Sequence, residues 1–247
     1  MTTAILADLD DTLFDDRHAM SCAIAALHLS HGVGGTISGQ ALTDHWAAIT
    51  ELHWVRYRSG ELTFQEQRRE RVRDLLQRPV GPSEADAIFE QYLAHYQAHW
   101  RLAPGASEFL ARTAHVPKAL VSNGEHKQVT NKASALGLLE HFNAIITPEV
   151  AGAVKPNLAI FRHALGALGI AEASTCLMVG DNHDADIQPA QALGMATFHV
   201  CNRTPGRTIA DAAKAAADFV RLGGSSPSNL SGATTRDHAD LPPRALC

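Results

Sequence analysis

The chain has 247 residues, 45% of them hydrophobic and 19% charged, which excludes a minimal module and a globally disordered polymer. Its 21 basic and 26 acidic side chains leave a net charge of -5. That balance lacks the basic footprint of a protein that holds a nucleic acid polymer or an anionic membrane surface.

The first apolar run, Ala4 to Ala7, has strand length and ends directly on Asp8-Leu9-Asp10-Asp11-Thr12. These carboxylates arrive before any apolar run long enough for a secretory leader, and no stretch reaches the roughly 20 apolar residues of a membrane span. Cys22, Cys176, Cys201 and Cys247 form no C-x-x-C pair. A reducing cytoplasm is the expected location.

Residues 15 to 100 change character. Helical patterns over His18 to His31, Thr43 to Ser59, Thr63 to Gln77 and Ser83 to Trp100 are separated by glycine and proline turns, with no strand between them. They predict an all-helical insert after the first strand. Thr63-Phe-Gln-Glu66 has the spacing of a capping box, in which hydroxyl and carboxylate each take a free backbone N–H.

From residue 101 onward, strand-length runs (Ala119 to Val121, Ala144 to Thr147, Cys176 to Val179, Ala196 to Val200) alternate with amphipathic segments. This is the pattern of a parallel α/β sheet. One crossover helix is marked by Leu158, Phe161, Leu165 and Leu168, with Pro156 expected in its first turn and Gly169 at its end. Residues 223 to 247, mostly Gly, Ser, Pro, Thr and Asn at their start, read as a flexible tail.

In an open parallel sheet, ligands bind in the crevice at the carboxyl ends of the strands. Asp8 and Asp10 emerge at one such end and Asp181, Asp184 and Asp186 at another. Crowded acids repel unless a cation or a shared proton relieves them, and hard oxygen donors suit Mg2+. Ser122-Asn123-Gly124 supplies a hydroxyl and an amide ahead of a helix start, where backbone N–H groups favour an anion. Lys155-Pro156 supplies a compact positive charge. Each piece alone reads as a turn, a cap or a solvated helix start. Four such motifs in order along one α/β chain point to a single site for a metal and a phosphorylated ligand.

These motifs resemble those of the haloacid dehalogenase-like (HAD) hydrolases, in the phosphatase branch with a C1-type helical cap, over about residues 4 to 222. The resemblance implies a Rossmann-like doubly wound core from residues 1 to 14 and 101 to 222, with 15 to 100 as the cap. It also implies Asp8 as nucleophile, Asp10 as general acid and base, and Ser122, Asn123 and Lys155 as binders of the phosphoryl group. Mg2+ would be held by Asp8, the backbone carbonyl of Asp10, and Asp181, with Asp186 an outer or alternative ligand. Asp11 stands where many relatives carry glycine. Dehalogenases lack an acid at the position of Asp10, and the phosphonatase branch needs a cap lysine that residues 15 to 100 do not contain.

The implied activity is a Mg2+-dependent phosphatase acting on a small phosphorylated metabolite through an aspartyl-phosphate. Its alternatives are a phosphomutase with the same intermediate and a catalytically silent phosphate-binding module. The sequence assigns neither an oligomeric state nor a particular substrate. Within the expected cap, Trp46, Trp54 and Tyr57 lie among Arg56, Arg58, Arg68, Arg69, Arg71 and Arg73, a mixture able to stack a base or grip an anionic leaving group but equally a core with a solvated face. His18 lies close behind the first motif, His95 and His99 stand four apart on one helix, and His183 lies within the second acidic loop. Five acids, Asp8, Asp10, Asp181, Asp184 and Asp186, are expected around one Mg2+.

Overall fold

The strand-length runs become β1 (Ala4–Ala7), β2 (Lys118–Val121), β3 (Ala144–Ile146), β4 (Cys176–Gly180) and β5 (Ala196–His199) in a computed structural model that describes residues 3–224. All pair in parallel, in the order β3-β2-β1-β4-β5. Successive connections from β1 therefore build outward in both directions, so β1 lies at the point where strand order reverses. That is the place where a doubly wound sheet opens a crevice beyond its strand ends.

β1, β2 and β4 are buried along their whole length, which explains why their sequences are apolar in a run in place of alternation, apart from Lys118 at the start of β2. One face packs Leu6, Val121 and Met178 against Ile160, Phe161 and Ala164 of α8 (Leu158–Ala167). Burying a side chain the size of Phe161 contributes about 1.5–3 kcal/mol. α5 (Ala106–Arg112) packs against α10 (Ile209–Arg221) in the same unit. The chain divides into two compact units, Met1–Asp15 with Arg101–Cys247, and Asp16–Trp100. Of the expected tail, only Gly223 and Gly224 fall among the described residues.

The second unit consists of α1 (Asp16–His31), α2 (Gly39–Arg58), α3 (Phe64–Leu76) and α4 (Pro82–Ala98). Thr63 and Glu66 form the expected capping box: Thr63 Oγ1 accepts from the Glu66 N–H, and Glu66 accepts from the Thr63 N–H at 2.8 Å. Trp46 of α2 is fully buried, 4.9 Å from the Tyr92 ring of α4. Among the described residues no helix is long and apolar enough to cross a membrane.

Three local details differ from the sequence pattern. β2 starts one residue earlier, at Lys118, whose buried ammonium donates to the carbonyls of Thr113 and, at 2.9 Å, Val116. A lysine enters an apolar strand because the end of α5 supplies carbonyls that need donors. Pro156 lies ahead of α8 and not in its first turn, because Asn157 is the N-cap and its side chain accepts the Ala159 N–H at 2.9 Å. The loop after β4 winds into one wide helical turn over His183–Ile187, ahead of α9 (Gln188–Ala192).

Gly105 caps α5 with φ +96, and a Cβ placed there would come 2.6 Å from Ala210 Cβ and 2.9 Å from the Ala210 backbone nitrogen. Backbone cannot yield as a flexible side chain does. Gly105→Ala is expected to lower unfolding free energy by about 1–3 kcal/mol. Urea denaturation would read this as a lower midpoint at unchanged slope.

Candidate active site

The strand register assembles the site. Ala7 pairs with Leu120 on one side and Val179 on the other, so the residues that follow β1, β2 and β4 leave the sheet at the same level. These are Asp8, Ser122 and Asp181. The Asp8 N–H still donates to Val179 O at 2.9 Å, and the Ser122 N–H to Ile146 O at 3.0 Å. The nucleophile candidate is thus fixed by the sheet ladder itself.

Lys155 is buried and its ammonium uses all three donors. It bonds Asp8 Oδ1 at 2.6 Å, Asp186 Oδ1 at 2.6 Å and the Val121 carbonyl at 2.9 Å. Its backbone is clamped from both sides by Asn123, which donates through Nδ2 to Lys155 O at 3.0 Å and accepts from Lys155 N–H at 2.7 Å. Both ends of the Asn123 carboxamide therefore hold Lys155, and a phosphoryl contact is left to the second Nδ2 hydrogen. Ser122 Oγ accepts the Gly124 N–H at 3.1 Å, which leaves its own proton available for an incoming oxygen.

Asp8, Asp181 and Asp186 bring carboxylate oxygens within 4.8 Å of one another. Asp186 is fully buried and accepts the Asn182 N–H at 3.1 Å. Asn182 in turn caps the wide turn by accepting from Asp184 and Ala185 N–H groups. Gly180 is required beside it: a Cβ there would meet Asp186 Oδ2 at 2.5 Å. Thr12 Oγ1 lies 3.3 Å from Asp8 Oδ2 and 3.4 Å from Asp181 Oδ1, between two of the three acids.

The expected ring of five acids narrows to three. The Asp184 side chain is 85% exposed and faces His183, because the wide turn directs it outward while Asp186 points in. The Asp10 carboxylate is outside the three-acid group and pairs with Lys132 Nζ at 2.6 Å. Lys132 belongs to α6 (His126–Ala135) and lies 4.7 Å from the Phe14 ring centroid. Sequence reasoning missed Lys132, because a lysine on a polar helix has no distinguishing spacing. Asp11 has φ +57, the region that favours glycine and that aspartate tolerates. The Asn202 side chain donates to its carbonyl at 2.9 Å. His99 Nδ1 bonds the His95 backbone carbonyl at 2.7 Å, within its own helical turn.

Burial, reinforced by the charges of Asp186 and Asp10, pushes the Asp8 carboxyl up to about 7, with Lys155 pulling the other way. Burial and the charges of Asp8, Asp186 and Asp11 push Asp181 well up as well. For Lys155, burial alone would favour the neutral amine, but the Asp186 and Asp8 carboxylates outweigh it and hold the ammonium charged. Three converging hard oxygens that carry excess negative charge are a donor set suited to Mg2+.

Lys155→Met would leave Asp8 and Asp186 buried without their cation, a loss of about 3–5 kcal/mol at pH 8 without divalent ions. The penalty should shrink toward pH 5, below the value of about 7 to which burial raises Asp8, where that carboxyl takes up a proton. Chemical denaturation of both proteins at the two pH values checks this, and equal stability at pH 8 would contradict it.

The haloacid dehalogenase-like hydrolase family model matches residues 2–194. A phosphoserine phosphatase of Thermus thermophilus is 30% identical over 213 residues, covering 77% of this chain and 85% of its own. The pyrimidine 5'-nucleotidase YjjG of Escherichia coli is 28% identical, covering 78% and 83%. The fold is similar to that of the HAD-hydrolase YfnB from Bacillus subtilis, solved bound to magnesium, with a TM-score of 0.67 at 22% identity over 83% of this chain and 91% of that one. With its family motifs gathered at the strand ends of a doubly wound parallel sheet, the chain belongs to the haloacid dehalogenase-like hydrolases.

Proposed function

We propose that the protein is a Mg2+-dependent phosphatase that hydrolyses a small phosphomonoester through an aspartyl-phosphate on Asp8. The observation that carries this reading is the buried Asp8 carboxylate, 2.6 Å from Lys155 Nζ and grouped with Asp181 and Asp186. Relatives named for phosphoserine and for pyrimidine nucleotides support a small phosphorylated substrate. Asp8, Asp181 and the Asp10 carbonyl would hold the ion, with Asp186 beside them, and when bound it supplies positive charge against the phosphoryl oxygens.

Asp8 attacks phosphorus, forming a carboxylate–phosphorus bond as the bond to the leaving alkoxide breaks. Asp10 gives its proton to that alkoxide, then takes a proton from the water that attacks the aspartyl-phosphate. Inorganic phosphate leaves and Asp8 is restored. Lys132 holds Asp10 Oδ1, so the transferred proton resides on Oδ2. Ser122 donates its hydroxyl to a phosphoryl oxygen. Lys155, with all donors engaged, binds a phosphoryl oxygen by exchanging its contact with Asp8 Oδ1, the atom whose charge the substrate replaces.

Hydrolysis of p-nitrophenyl phosphate tests the reading. Turnover is expected with Mg2+ and lost with chelator, with Asp8→Asn falling to background and Asp10→Asn slowed about 10²–10⁴-fold. A wild type inert in Mg2+, or an Asp8→Asn variant equally fast, would sink the proposal.

The raised acids set a pH dependence for metal binding. A carboxyl whose folded value is about 7, above its unfolded value, stabilises at low pH and loses that contribution as pH rises through about 7. Protons therefore compete with Mg2+ below pH 7. The Mg2+-induced rise in Tm should grow from pH 5.5 to pH 8 and be small in Asp181→Asn. A rise independent of pH would contradict the assignment of Asp8 as a ligand.

A further inference from the structure

The paired register of β4 and β5 ends at Gly180 with His199, where the Val200 N–H donates to Gly180 O at 2.8 Å. The next carbonyl along the chain, that of Asp181, leaves the sheet with the acidic loop. A side chain takes it up: His199 Nε2 lies 2.8 Å from Asp181 O. The other ring nitrogen, Nδ1, bonds Arg207 Nη2, and Arg207 Nε donates to the His199 carbonyl at 3.4 Å. Arg207 thus holds both the ring and the peptide of His199.

These partners select one form of the imidazole. A guanidinium only donates, so Nδ1 accepts; a carbonyl only accepts, so Nε2 carries the hydrogen. Any other form would set an N–H against the guanidinium or a lone pair against the carbonyl. The segment that carries the two residues is itself tied down. Asn202 donates to Asp11 O at 2.9 Å and to Thr12 O at 3.3 Å, while its own Oδ1 accepts the Ile209 N–H at the start of α10 at 2.9 Å. The stretch from His199 to Ile209 therefore grips the loop after β1 and the loop after β4 by their backbones, although none of its residues belongs to the three-acid group.

The carbonyl and the carboxylate of Asp181 are joined through the same Cα. The chain before that Cα is fixed by the β4 ladder and the carbonyl after it by His199, which restrains the soft backbone dihedrals that would swing the side chain. Partners one step behind a metal ligand orient it in this way and raise the affinity of the site.

We infer that His199, kept in its Nε2–H form by Arg207, is a positioning residue that aims the Asp181 carboxylate at the divalent cation. The inference rests on the reading of Asp181 as a metal ligand and adds what holds that ligand in place.

The test is equilibrium binding of Mn2+, a hard-oxygen surrogate for Mg2+, to the full chain without substrate. The electron paramagnetic resonance signal of the free ion reports binding, and Mg2+ is added as competitor. His199→Gln places an amide N–H near the position of Nε2, whereas the amide of His199→Asn is too short to reach it. His199→Asn is expected to bind about 10–100-fold more weakly than the wild type, with His199→Gln restoring most of the loss. Arg207→Met removes a positive charge, which by charge alone would favour a cation. Loss of the partner that sets the ring should weaken binding instead. If His199→Asn fails to fold, Arg207→Met, which leaves the imidazole in place, carries the comparison. Wild-type affinity in His199→Asn, equal weakness in His199→Gln, or binding by Arg207→Met as tight as the wild type or tighter would overturn the inference. Those results leave the metal site itself standing. Absence of saturable binding by the wild type would instead remove the metal reading of the three acids and this inference with it.

Discussion

The Lys155 ammonium, set between Asp8 and Asp186 and tied to the Val121 carbonyl, is the interaction on which the rest of the site depends. Three carboxylates and one ammonium leave two negative charges in a buried cluster, the charge that one divalent cation would cancel. Without Lys155 the same cluster would carry three, in a setting where each unpaired ion is costly. The surroundings hold this lysine in place with little freedom. Asn123 fixes its peptide from both sides, Gly180 leaves the space that Asp186 occupies, and Asn182 closes the turn that aims Asp186 inward.

Much of this was legible in the sequence, for a physical reason. A strand buried on both faces is largely apolar, so the runs of three or four residues ending at Ala7, Val121 and Val179 stood out, and the polar residues behind them had to meet where the strands end. What the sequence left open depends on side-chain direction. Asp184 and Asp186 are both two-residue neighbours in an acidic loop, but the wide turn sends one into solvent and the other under Lys155. Lys132 sits on a polar helix whose spacing gives no sign that it reaches Asp10, 122 positions earlier. Pro156 matched a helix-start rule, yet Asn157 makes the capping bond and moves the start.

Asp8 and Asp10 illustrate how two identical side chains, two positions apart, acquire different surroundings. Asp8 is buried among acids, and its charge is sustained by Lys155 within the cluster. Asp10 is 39% exposed at its side chain and has a cation of its own in Lys132. In the proposed mechanism the nucleophile must be shielded and held against the reacting atom, whereas the proton carrier must exchange with water between half-reactions. Burial with a shared lysine suits the first, and partial exposure with a separate lysine suits the second. Their separation also keeps the Asp10 carboxylate from competing for the three-acid site, where a fourth negative charge would raise the cost of the cluster further.

The helical unit manages charge by a different rule. Its arginines other than Arg71 are matched one by one to acids of the same unit, so its surface is neutralised pair by pair and no broad positive field is left to collect anions. The composition that looked like a solvated face of arginines resolves into paired residues and one exception, Arg71, buried beside aromatic rings. The sequence could not separate them, because Arg69 and Arg71 are two positions apart on one helix and differ only in what stands opposite: Asp86 for one, the rings of Trp54 and Phe89 for the other.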